Sequence, residues 1–187
     1  MTIRYLSDLH FDHETILAFD NRPFNSVAEL DEALIARWNA VVEPEDLTWI
    51  LGDFCPGTGE RWRTLLQRLN GRKALICGNH DAPASVEAAR DLLEDVAEYR
   101  EIVDGGRHVV LCHYPIPSFH NHYQGWIHLY GHVHSAFEWN IAEHSKRLLK
   151  NLYLRPDVCR MANVGAMLPY MDYTPRSLEE LEPCQIL

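Results

Sequence analysis

Short apolar runs recur along this chain, and several of them stop abruptly at polar side chains. Residues 3–7, 46–51, 73–77 and 107–112 are short apolar runs that read as buried strands, with 127–130 and 160–164 as weaker candidates. Between the first two runs, Val27, Leu30, Leu34, Trp38 and Val41 fall on one face at helical spacing. Ser26 with Glu29 three residues on supplies a capping-box pattern at the start of that helix. A second helix is expected over 60–69, stopped by Asn70-Gly71, and a third over 85–97, begun by Pro83 and Ser85. The stretch "NIAEHSKRLLKNLYL" reads as a further helix, and "SLEELEP" as a short capped one near the end. Strands alternating with helices predict a layered α/β domain. The short connections of the later strands predict a hairpin-rich second half, and with it a mixed sheet.

The residues at the end of each apolar run change the picture. "YLSDLH" ends at Asp8 and His10, "TWILGD" at Asp53, and "LICGNHD" at Asn79, His80 and Asp81. "VVLCH" ends at His113, and "IHLYGHVH" at His132 and His134. Ligands of open α/β sheets bind at the carboxyl ends of the strands, so these side chains are expected on one rim. Asp, Asn and His are oxygen and imidazole donors, suited to manganese first, and also to iron, nickel or zinc. Two carboxylates and several imidazoles exceed what one tetrahedral zinc ion uses. The set fits two divalent metal ions about 4 Å apart, with Asp53 as the natural bridge. Alternation in "GHVH" puts His132 and His134 on one side of their segment, where they can serve both ions. Two divalent cations outweigh the charges of Asp8 and Asp53, so the pocket would attract a phosphate ester. A hydroxide bridging the metals would attack phosphorus in line. His80, beside a ligand, can protonate the leaving oxygen.

Composition narrows the setting. The 187 residues carry 17 basic and 27 acidic side chains, a net charge of −10, which disfavours tight binding to long nucleic acid. The five cysteines, Cys55, Cys77, Cys112, Cys159 and Cys184, include no C-x-x-C pair and read as structural free thiols. No apolar run is long enough for a bilayer and the N-terminus lacks the build of a signal peptide, so a cytoplasmic protein with no membrane partner is expected. No repeat or linker divides the chain, which is expected to be one domain over 1–187.

The ordered motifs D-x-H at 8–10, G-D at 52–53, G-N-H-D at 78–81, His113 and G-H-x-H at 131–134 resemble those of the calcineurin-like metallophosphoesterase family. The resemblance covers roughly residues 5–134. It implies a four-layer αββα sandwich of two mixed sheets flanked by helices. It also implies that Asp8, His10, Asp53 and His134 hold one metal and that Asp53, Asn79, His113 and His132 hold the other. His80 would be the catalytic histidine, oriented by Asp81. The departure is the interval of about 28 residues between His134 and "NVG" at 163–165, so 135–159 reads as an insertion near the active site. Its Lys146, Arg147, Lys150 and Arg155 either grip a remote phosphate or belong to a solvated surface helix.

Several residues stay open between two roles. His120, His122, Tyr123 and Trp126 can line a substrate pocket or form a plain surface loop. Arg22 can contact a phosphate or make a structural ion pair. His13, His108, His128 and His144 read as structural. The leading function is hydrolysis of small phosphodiesters or phosphomonoesters. A metal-dependent nuclease comes second, and a non-catalytic metal-binding partner module third.

Overall fold

The fold was analysed in a computed structural model that describes residues 1–134 and 137–183. The first sheet is built from β1 (Ile3–Leu6), β2 (Leu47–Ile50), β3 (Arg72–Ile76), β4 (Val96–Ala97) and β9 (Arg176–Ser177), in the order β4-β3-β2-β1-β9. β1 to β4 are parallel, and β9 closes the edge antiparallel to β1. The second sheet has the order β5-β6-β7-β8, from Tyr99–Asp104, Arg107–Cys112, Ile127–Tyr130 and Arg160–Asn163. β5 and β6 form a hairpin, whereas β6, β7 and β8 are parallel.

The strand alternation shows how the layers stack. Val109, Leu111, Ile127, Leu129 and Ala162 face the main core together with Tyr5, Leu6, Ile50 and Leu75 of the first sheet. Their neighbours Val110, Tyr130 and Met161 face a second core with Ala142, Trp139 and Leu149 of α5 (Phe137–Tyr153). On the other side, α2 (Val27–Val41) and α3 (Gly59–Arg68) pack Leu30, Leu34, Trp38, Trp62 and Leu65 onto the first sheet. This is the four-layer αββα sandwich implied by the resemblance. Tyr5 donates to Asp104 across the two sheets at 2.9 Å.

Local signals account for most of the helices. The Ser26 hydroxyl accepts from Glu29 N at the start of α2, but the Glu29 carboxylate turns to Asn25 instead of completing the box. The full reciprocal box occurs at Ser177 and Glu180, which start α6 (Leu178–Leu181). The helix expected over 85–97 is cut short: α4 covers Pro83–Ala88, and Arg90–Leu92 make one 3₁₀ turn. The reason is the open edge of β3. Leu75 N and Cys77 N donate to Asp95 O and Ala97 O, so residues 95–97 serve as a strand and cannot remain helical. The hairpin-rich second half is likewise corrected to one hairpin, at Gly105-Gly106, followed by parallel crossovers. Both glycines have positive φ, as a two-residue hairpin turn requires. None of the described helices is long and apolar enough to cross a membrane.

Candidate metal centre

Strands β1, β2, β3, β6 and β7 all deliver their carboxyl ends to one rim. The two sheets are joined there: Ser7 N donates to Val164 O, and Ala166 N donates to Ser7 O. Gly131 permits this approach. A Cβ at that position would lie 1.8 Å from Ser7 Oγ and 2.7 Å from Asp8 Oδ2. Gly52 has φ +88°, and a Cβ there would meet the His113 ring at 2.4 Å.

Two groups of donors meet at Asp53. Single ligand atoms of Asp8, His10, Asp53 and His134, all buried, lie within 4.8 Å of one another. His10 Nε2 stands 3.6 Å from Asp53 Oδ2 and 3.3 Å from His134 Nε2, and His134 Nε2 is 3.6 Å from Asp8 Oδ1. On the other side, His113 Nε2 lies 3.4 Å from the same Asp53 Oδ2 and 3.1 Å from Asn79 Oδ1. His132 Nδ1 lies 2.9 Å from that Asn79 oxygen. Asp8, His10, Asp53, His132 and His134 all hold φ between 47° and 70°. Such non-glycine backbone costs about 1–3 kcal/mol per residue and gathers at functional sites. Here it is fixed by bonds from Asp8 N to Gly52 O, from His10 N to Asp53 O and from His132 N to the Asp8 carboxylate.

The outer nitrogens of three histidines show that the donors suit a cation. His113 Nδ1 donates to Leu51 O at 2.8 Å, and His134 Nδ1 donates to the Asp20 carboxylate at 2.8 Å. His10 Nδ1 meets His13 Nδ1 at 3.0 Å. With these partners each ring can keep its proton outside and turn a bare Nε2 inward, as metal-bound histidines do. Asp20 and His13 are not among the expected site residues, and only folding brings them there.

Charge is finely divided among these side chains. Burial pushes the His10 imidazole down to about 2, overcoming the attraction of Asp53. Burial also works against charge on His113, but the hydrogen bond to Asp53 and the charges of Asp8 and Asp53 lift it to about 9. Burial would raise Asp53, yet the His113 hydrogen bond and charge hold it well below the usual carboxylate range. Asp8, wholly enclosed, is raised by burial. These buried groups thus hold opposite tendencies that a bound cation would level.

His80 is exposed, its ring 5.2 Å from His10 and 5.5 Å from His13, while its backbone N–H donates to Asp53 Oδ1 at 2.9 Å. Asp81 bears on His80 through the backbone of their shared turn. Its oxygens accept from the backbone N–H groups of Asp53, Phe54 and Gly78 at 2.8–2.9 Å. The tight turn through 78–81 points the carboxylate inward, so Asp81 ties the Asn79-His80 turn to the Asp53 turn. Burial raises it to about 6 despite those donors.

The remaining open residues resolve by contact. Arg22 is a structural ion pair: its buried guanidinium binds Asp20, Asp8 O and Leu9 O. His128 is buried between Val110 O and the 114–116 turn, where desolvation lowers it to about 4. His108 stacks on Trp126 at 4.3 Å, and His120 pairs with Glu101. The 118–126 loop contributes nothing to the walls of the cavity beside these donors. Lys146 is buried, with Nζ on Glu143 at 2.8 Å and Met161 O at 3.3 Å, and Arg155 pairs with Asp157. The start of α5 does reach the site, where Glu138 shares a small cleft with Phe19, His132 and Val133. Asn163 of "NVG" donates to His134 O at 2.9 Å. Cys55, Cys77, Cys112 and Cys159 are free thiols, while Cys184 and residues 135–136 lie outside the described residues.

Comparison with known proteins finds relatives in an archaeon and in two mycobacteriophages. An uncharacterized protein of Methanocaldococcus jannaschii is 35% identical over 135 residues, covering 71% of this chain and 69% of that protein. The gene 66 protein of Mycobacterium phage D29 is 34% identical over 190 residues, covering 88% and 94%. Its counterpart in phage L5 is 32% identical over 161 residues, covering 70% and 76%. Among solved structures, a protein of unknown function from Aquifex aeolicus superposes with a TM-score of 0.72 at 23% identity, covering 97% of this chain and 98% of that one. The likeness to the Aquifex protein is one of fold and covers nearly the whole chain. No family model matches the chain.

Proposed function

We propose that this chain, which belongs to one family with the M. jannaschii protein and the phage gene 66 proteins, is a calcineurin-like metallophosphoesterase acting on small phosphate esters with two divalent metal ions. The observation that carries the reading is the arrangement about Asp53. Its Oδ2 stands between His10 Nε2 at 3.6 Å and His113 Nε2 at 3.4 Å, each ring held from outside by its own partner. Asp8, His10, Asp53 and His134 would hold one ion, and Asp53, Asn79, His113 and His132 the other. Oxygen and imidazole donors together suit manganese, the ion we propose first, and iron, nickel or zinc as well. When bound, such ions polarise a phosphoryl oxygen and lower the pKa of water.

The chain's own residues supply the rest. His10, neutral because it is buried, is ready to ligate without first losing a proton. The exposed ring of His80 lines the cavity and can hand a proton to the leaving oxygen. Asp81 keeps that ring in place through the backbone, as a positioning residue. The cavity beside the donors holds about 470 Å³, a size for a small ester and not for a long strand. Among the described residues no Lys or Arg lines it, so it offers nothing to track a polymer's phosphates.

The test is hydrolysis of a generic aryl phosphodiester across a panel of divalent metals, with His80→Ala alongside. Turnover that requires metal, and a roughly 10²–10⁴-fold loss in His80→Ala with metal content retained, is expected. Metal binding without turnover of any mono- or diester would point to a partner-binding module. Faster degradation of long single-stranded DNA than of small diesters would point to a nuclease.

A further inference from the structure

The cavity has two unlike sides. The candidate ligands with His13 and His80 make one, and Thr15, Ile16 and Phe19 of α1 (Thr15–Phe19) make the other. Ile16 is buried, whereas Phe19 is 71% exposed, a large apolar ring left in water at the mouth of a polar site. Phe19 stands edge-on to the His134 ring at 5.6 Å, and so directly adjoins the donor cluster. It also forms the ridge between this cavity and the smaller cleft that holds Glu138. A ring in this position is not needed for the core. It is available to whatever occupies the cavity.

We infer that Phe19, backed by Ile16, is the specificity wall of the site, and that the substrate is a phosphate ester carrying a planar, uncharged aromatic group. The inference rests on the phosphoesterase reading and names its substrate class. Three features disfavour a substrate whose far end is a second phosphate. Among the described residues no Lys or Arg lines the cavity. Of the cations in the 135–159 segment, Lys146 and Arg155 are engaged by Glu143 and Asp157, and Arg147 and Lys150 line neither this cavity nor the cleft at Glu138. The charge beyond the Phe19 ridge is the carboxylate of Glu138, which repels an anion. A neutral aromatic ring meets none of these penalties and gains an edge or face contact with Phe19. With the phosphoryl group at the donors, an aromatic substituent on the α1 side would lie against that wall.

The experiment separates this inference from the reading beneath it. Metal-loaded protein is titrated calorimetrically with phenylphosphonate and with methylphosphonate, which share the phosphoryl head and differ in the organic group. In parallel, kcat/KM is measured for p-nitrophenyl phenyl phosphate and p-nitrophenyl methyl phosphate, which share a leaving group. The phenyl compounds are expected to be favoured by about tenfold in both series. Phe19→Ala should bring both ratios toward one, and Phe19→Tyr should restore them. Because Phe19 is exposed, the Ala variant is expected to fold as the wild type does. Ratios that stay the same in Phe19→Ala would overturn the inference, as would tighter binding of a phosphonate bearing a second phosphate. If neither ester is turned over but the phosphonate ratio depends on Phe19, the aromatic wall stands and the hydrolytic reading falls.

Discussion

Replacing Asp20 by Asn tests how the fold prepares His134. Both Asp20 oxygens lie 2.8 Å from His134 Nδ1, while the two Arg22 bonds, at 3.0 and 2.9 Å, both end on Oδ2. An asparagine keeps those Arg22 bonds only with its carbonyl in the Oδ2 place. Its NH2 then occupies the Oδ1 place, facing His134. The negative charge that favours a proton on Nδ1 is gone, and the amide can instead donate to Nδ1 and send the proton to the metal-facing Nε2. Loss of such an outer partner typically weakens metal affinity by about 10–100-fold, or about 1.4–2.7 kcal/mol. Asp20→Ala differs in kind: it also strips the counter-ion from a guanidinium whose side chain is 0% exposed, at about 3–5 kcal/mol of fold stability. Competition for metal against a chromophoric chelator reads the first effect, and thermal unfolding of metal-free protein reads the second. A folded Asp20→Asn protein that binds metal as tightly as the wild type would refute the argument.

Single contacts carry further consequences. Gly131→Ala places a methyl group 1.8 Å from Ser7 Oγ, itself held to Leu51 O at 2.7 Å, and should cost about 2–3 kcal/mol in urea unfolding and weaken metal binding through Asp8. Metal-free protein has His113 raised to about 9, above the ~6.5 of an unfolded histidine. That contribution to stability is complete below about pH 6.5 and is lost as pH rises through about 9, while metal affinity rises over the same window because the proton must leave. Unfolding and metal titrations at about pH 7 and about pH 9 check both signs. Lys146→Met removes the donor to Met161 O and Glu143 and should lower stability by about 1–3 kcal/mol while leaving the KM of a small ester unchanged.

The proposed ligands were legible because each follows an apolar strand, and parallel strands must put their carboxyl ends on one rim. The order of the motifs then carried the four-layer fold. Asp20 was not legible, since it follows the short α1 with no strand before it, and only the packing of α1 against the rim gives it His134. β5 escaped notice because it is a half-exposed edge without clean apolar alternation, and β4 because residues 94–97 are helical in pattern but needed to cover β3. Lys146 could have been placed from spacing alone. It falls three to seven residues from Trp139, Ala142 and Leu149, on the face that α5 buries. Charge suggested a surface role where periodicity indicated the core. For Asp81 the resemblance implied a role beside His80, and only the fold shows the backbone N–H groups of Asp53, Phe54 and Gly78 that hold its carboxylate.

The central claim is that Asp53 serves two metal ions at once, and metal stoichiometry tests it most directly. Elemental analysis of protein at full activity, after removal of loosely held metal, should find two divalent ions per chain. Asp53→Asn should lose both ions together with activity, since its carboxylate stands between His10 and His113. A fully active wild type holding at most one ion, or an Asp53→Asn variant that retains two, would contradict the account.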